Sequence, residues 1–168
     1  MKAVKLTVLT LVATLAFTGF ALAKDMKTAF VDLSKVFDNY QKTKEYDGVL
    51  QKEAQTFEAE RNGMINKIKD GQSKLALMKD SEKQKLTDEL DKQKNQLIEY
   101  DKQKRTELAQ KRDEKVRSIL QEIQKLVEEI AKKEGYTFIF NDRVLVYGDQ
   151  SLNITDQVLK ALNDSYKK

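Results

Sequence analysis

Residues 50–100 read LQKEAQTFEAERNGMINKIKDGQSKLALMKDSEKQKLTDELDKQKNQLIEY, and this stretch decides the fold. Leu50, Ala54, Phe57, Arg61, Met64, Ile68, Gly71, Leu75 and Met78 step alternately by four and three, the spacing of a heptad seam along one side of a helix. The pattern breaks at Lys79-Asp80-Ser81. Ser81 with Gln84 three residues later has the form of a capping box, so a second helix is expected to start there. It continues through Leu86, Leu90, Gln93, Leu97 and Tyr100 and thins to little more than Leu108 and Ala109. From Val116 it recovers with Ile119, Leu120, Ile123, Leu126, Val127 and Ile130, and Gly135 is placed to end it. The chain has no proline, and no glycine lies between Gly71 and Gly135. Gln51 to Ser118 is nearly half charged, too polar for a globular core but rich in helix formers. Two such helices joined by a tight turn make a long antiparallel hairpin, an arm over 46–130 with its tip near 79–81. Its first helix, of about 37 residues, would be on the order of 55 Å long. Gly63 and Gly71 read either as softening the arm or as tolerated on a solvated face.

Outside the arm the composition changes. Thr28-Ala29-Phe30-Val31-Asp32 reads as a short strand, and Asp32 is placed to cap a helix starting near Ser34. Tyr136–Phe140 and Val144–Tyr147 read as two more strands, apolar on both faces, with the turn-like Asn141-Asp142-Arg143 between them. Asn153-Ile154-Thr155-Asp156 opens a final helix with Val158, Leu159, Leu162 and Tyr166 on one side. The expected fold is therefore mainly α with a small β body. Segments 24–45 and 131–168 form that body, and the hairpin is inserted between its strands. About 60 residues is near the size at which a lone core becomes marginal. Self-association through Phe30, Val31, Phe138, Ile139, Phe140, Val144 and Val146 is expected, with a closed symmetric ring as the usual solution.

The first 23 residues have a separate reading. Two lysines in Met1–Lys5, an uncharged run from Leu6 to Phe20 and the small-residue site Ala21-Leu22-Ala23 form the three-part pattern of a secretory signal peptide. Cleavage is expected after Ala23, which leaves 145 residues and an exported chain. The 31 basic and 27 acidic residues, less the two lysines of the signal, leave a net charge of +2. This near balance argues against a nucleic-acid partner. Cysteine and histidine are absent, which removes disulfides, the usual zinc and haem ligands and the commonest general base. There is no P-loop, no G-x-G-x-x-G and no G-x-S-x-G. Asp88, Glu89 and Asp91 spread around a helix rather than converge. No enzyme activity, metal or cofactor is expected.

Two features point to binding. The first is the thin apolar seam: Met64, Ile65, Ile68, Leu75, Met78, Leu86, Leu90 and Leu97. Most of these side chains hold the hairpin together, whereas Leu77 and Ile98 fall beside the seam and are the better candidates for contact with a client. The second is the basic tip, where Glu60 to Lys85 carries seven basic and four acidic residues. Lys74, Lys79, Lys83 and Lys85 are candidates for anionic lipid or lipopolysaccharide, at roughly 1 kcal/mol per lysine near a surface.

The order of these parts resembles the OmpH/Skp family of periplasmic chaperones across essentially the whole mature chain. The resemblance rests on A-F-V-D-L-S-K-V-F at 29–37, the charged hairpin, Gly135-Tyr136-Thr137-Phe138-Ile139-Phe140, and Leu152-Asn153-Ile154-Thr155-Asp156-Gln157-Val158 leading to Leu162-Asn163. The last stretch is the most specific; family members usually carry Asp where this chain has Asn153. The resemblance implies a homotrimer whose strands join in a central body, with three hairpins around a cavity. It further implies that unfolded outer-membrane β-barrel proteins are held there without ATP. A structural or adaptor coiled coil of the envelope is the competing reading. The thin seam between Asp101 and Lys115 argues against it, since a rigid spacer would keep its heptads filled.

Overall fold

A computed structural model describes residues 26–167. The signal segment and its cleavage point lie outside the described residues. Strand β1 (Thr28–Val31) is buried along Ala29, Phe30 and Val31. Asp32 then starts helix α1 (Leu33–Asn39), its carboxylate accepting from the Lys35 backbone N–H, as a helix N-cap should. After Tyr40 the chain enters helix α2 (Gln41–Leu75), a short turn, and helix α3 (Asp80–Glu134). At 1.5 Å per residue these are about 52 and 82 Å long. Antiparallel to each other, they form the hairpin. The last turns of α3 run on past the start of α2 into the body, where Ile119, Ile123 and Ile130 are buried.

The ends of α3 follow from local chemistry. Asp80 and Glu82 lie in its first turn and Lys132 and Lys133 in its last, each sign suited to the helix dipole. Gly135 has φ 76°, the left-handed conformation that closes a helix, and the Tyr136 N–H donates to the Ala131 carbonyl. The capping box does not form. The helix begins at Asp80, one residue before Ser81, because the Lys79 carbonyl already accepts from Glu82 and Lys83.

Strand β2 (Phe138–Asn141) pairs in parallel with β1, Thr28 opposite Phe138 and Val31 opposite Asn141. The crossover between these two strands is the whole hairpin. On the other side of β1, Phe30 bridges to Asn153 and accepts from the Ile154 N–H. Helix α4 (Thr155–Tyr166) then packs Val158 and Leu162 against Val36, Tyr40, Ile119 and Ile123 in one core. Asn153 assists its start by accepting from the Thr155 N–H.

The expected strand at Val144–Tyr147 is absent. Asp142–Val144 forms a single 3₁₀ turn, capped by Asn141 accepting from Arg143, and the chain from Leu145 is irregular until a second such turn at Gln150–Leu152. β1 is flanked by β2 and by Asn153, and after the 3₁₀ turn the chain runs to Gly148 against the Phe30 ring, so it does not lie along the open outer edge of β2.

Candidate functional site

At the tip, a backbone turn closes α2, with the Leu77 N–H donating to the Lys74 carbonyl. Ile68 and Leu90 are the buried members of the outer seam. Met64, Ile65, Leu75, Met78, Leu86 and Leu97 are half-buried along it. Leu77 and Ile98 lie outside the seam, 89 % and 62 % exposed. Gly71 has a packing role: a Cβ there would meet the Leu90 Cδ2 at 2.5 Å, so the two helices approach closely because this residue has no side chain. Lys74, Lys79 and Lys85 are exposed, whereas Lys83 is half-buried and pairs with Asp80 at 2.7 Å.

Towards the body the seam changes character. Asp101 accepts from Arg61 across the helices at 2.8 Å and from Arg105 on its own helix at 2.7 Å. The Arg105 hydrogen bond, aided by Arg61 against partial burial, holds the Asp101 carboxyl below its ordinary range. Tyr100 donates to Glu60, which pushes its hydroxyl up to about 12, and its ring meets Phe57 at 5.8 Å. Lys111 bridges Glu53 on α2 at 3.0 Å and Glu107 on α3 at 3.1 Å. A groove of about 400 Å³ lies over Phe57 and Leu108, and another of about 550 Å³ runs between Tyr46, Leu50, Lys111 and Ser118.

The root is closed differently. Tyr40 is fully buried and donates to Glu122, which also accepts from Lys42. Burial raises the Glu122 carboxyl, but the two donors outweigh it and leave it lowered. Burial and the same carboxylate raise Tyr40. Helix α4 reaches the root as well. Asn163 accepts from the Gln41 N–H at 2.9 Å, and Tyr166 donates to Glu45 at 2.7 Å while its ring stands edge-on to Tyr40. None of these links was read from the sequence; the tyrosines were the only signal for them.

At the opposite end the body presents apolar surface. Phe138, 51 % exposed, and Phe140 stack with centroids 5.9 Å apart, and Val144, Val146 and Tyr147 stand fully in the open. Ile139 is half-buried, and Phe30 and Val31 belong to the interior of the protomer.

Among the described residues no cluster of three or more metal-ligating side chains occurs, and no helix is long and apolar enough to cross a membrane. The arrangement offers three surfaces: a seam with two apolar side chains outside it, a basic tip and an uncovered strand face. Comparison with curated proteins finds no match. Among solved structures, the crystal structure of an OmpH-like outer membrane chaperone from Caulobacter crescentus has the same fold, with a TM-score of 0.77 at 13 % identity. The match covers 83 % of this chain and 85 % of that one. The family model for outer membrane protein (OmpH-like) matches residues 27–162. With the inserted hairpin and the parallel strand pair already in place, the match over nearly the whole described chain makes this protein a member of the OmpH-like family.

Proposed function

We propose that this protein is an ATP-independent periplasmic holdase. It takes up unfolded outer-membrane β-barrel proteins between helical arms and prevents their aggregation. The observation that carries this reading is a division of labour along the chain. The arm seam is largely used up in holding the hairpin, while Leu77 and Ile98 project from it into solvent. Isolated apolar side chains on a charged arm suit weak, repeated contact with a non-native chain, and several tethered arms gain from effective concentration. The uncovered Phe138, Phe140, Val144 and Val146 support self-association of three bodies, with the arms of 46–130 projecting from segments 24–45 and 131–168. Export through a cleaved signal peptide fits this role. Lys74, Lys79 and Lys85 offer contacts for anionic lipid or lipopolysaccharide. Neither cofactor, catalysis nor nucleic acid enters the proposal.

The test is light scattering of an aggregating barrel protein with and without the mature chain. Suppression is expected, and it should weaken when Leu77 and Ile98 are both changed to Ser. The unbroken 55-residue helix α3 is the feature that would suit an envelope spacer. A spacer would leave aggregation untouched. The trimer is tested by mass in solution: the wild type should have three times the protomer mass, and Phe138→Asp with Val146→Asp should leave monomers.

A further inference from the structure

The hairpin is fastened at its two ends by different means and barely fastened between them. Outside Arg61, Ile68 and Leu90 are buried, and Gly71 lets the helices close up. At the root, Tyr40, Ile119 and Ile123 are buried with α4 packed over them. Between these ends, from Tyr46 to Arg61 on α2 and from Asp101 to Ser118 on α3, Phe57 is the one buried side chain. The two grooves of about 400 and 550 Å³ lie here. Beside the Phe57–Tyr100 ring contact, what crosses between the helices here is polar: Arg61 to Asp101, Tyr100 to Glu60 and, between the two grooves, Lys111 to Glu53 at 3.0 Å. Lys111 and Glu53 are each more than a third exposed, so their attraction is screened by water and salt. The Tyr46 hydroxyl beside the larger groove is buried without a hydrogen-bond partner. Such a group gains when water reaches it.

We infer that the inner arm is a slot that opens between two closed ends, with the Lys111–Glu53 bridge as its latch. Opening bows α2 away from α3 over Tyr46–Phe57, admits water to Tyr46 and uncovers Leu50, Phe57 and Leu108. Tip and root stay paired, because apolar burial there does not weaken with salt. The device rests on the geometry of the free protein and does not depend on the client-holding reading.

Hydrogen exchange of the mature wild-type protein, read by mass spectrometry of peptides along the arm, tests it. Lys111→Met keeps the methylene stem and removes the charge. At about 50 mM salt it should speed exchange roughly fivefold in 46–58 and 104–116, the effect of losing the exposed pairs to Glu53 and Glu107. Exchange in 64–75 and 86–97 and at the root should not change. Glu53→Met should speed the same stretches, and the double variant should go no further than Lys111→Met, since Glu53 acts through Lys111. Raising salt to about 500 mM should speed the same two stretches in the wild type and move the double variant less, since only pairs such as Arg61–Asp101 remain in it to be screened. That salt series decides the matter even if the variants fold poorly. An unchanged rate, an additive double variant or a rise spread over the whole arm overturns the latch.

Discussion

The root and the tip of the arm are made from the same two helices, yet they are held by different physics. At the root, Ile119 and Ile123 face a third layer, so Val36, Tyr40, Val158 and Leu162 bury them from several sides. At the tip, Leu90 has only α2 to face, and it becomes buried because Gly71 brings the opposite backbone close. A heptad seam therefore specifies which residues meet, while the number of layers around it determines how much each meeting stabilises. A fully buried Ile or Leu contributes roughly 1.5–3 kcal/mol relative to exposure, and only the root applies this from all sides.

The sharpest way to break that comparison is to delete the same volume at both ends. Ile123→Ala should cost about 2–5 kcal/mol and lower the urea midpoint of the whole protein. Leu90→Ala should instead fray the tip, with faster amide exchange near 68–92 and little change in the global midpoint. Equal losses of midpoint would mean that the arm and body unfold as one unit. The next effect is in acid. The Glu122 carboxyl is lowered in the folded state, so its contribution is present above the unfolded value of about 4.3 and is lost as pH falls through the folded one. Between about pH 5 and pH 2 the wild-type midpoint should therefore fall more steeply than that of Glu122→Gln. Gly135→Ala forces a side chain into the left-handed cap and should cost about 1 kcal/mol in the same urea assay. The smallest effect is a contrast within α2. Gly63 has open space where a Cβ would stand, so Gly63→Ala should gain about 1 kcal/mol of local helix stability. Gly71→Ala must displace Leu90 and should gain less. Equal slowing of exchange around both sites would show that the close approach at Gly71 does not matter.

Much of this was legible because helix patterns are local. The heptad steps from Leu50 to Met78, the stop at Gly135 and the cap at Asp32 each need only a few neighbouring residues. What failed to show in the sequence depends on partners. Val144–Tyr147 has strand-forming side chains, but pairing depends on the path after Asn141, and the 3₁₀ turn at Asp142–Val144 leads the chain to Gly148 against Phe30 rather than along the outer edge of β2. Ser81 has the chemistry of a cap, yet the turn after Leu75 brings the Lys79 carbonyl to Glu82 and Lys83 first. The links from Arg61 to Asp101 and from Glu53 to Lys111 depend on the register between two helices, which neither helix's own periodicity contains. Gly71 reads from one helix alone as softening the arm or as tolerated on a solvated face, for the same reason: its packing use is visible only once Leu90 is placed opposite. Exposure follows the same rule: that Leu77 and Ile98 stand outside the seam is legible in one helix's spacing, whereas Tyr147 and the grooves are not.

The parallel pairing of β1 with β2 also sets an order of events during synthesis. β1 leaves the ribosome about 110 residues before the strand it pairs with. Until then its hydrogen-bonding edges have no native partner on the chain. The hairpin between them can form from neighbours alone and folds early, while the body must wait for Leu162. A nascent chain halted near the end of α3 would thus display a finished arm and an orphaned strand, and the last thirty residues convert that intermediate into a protein.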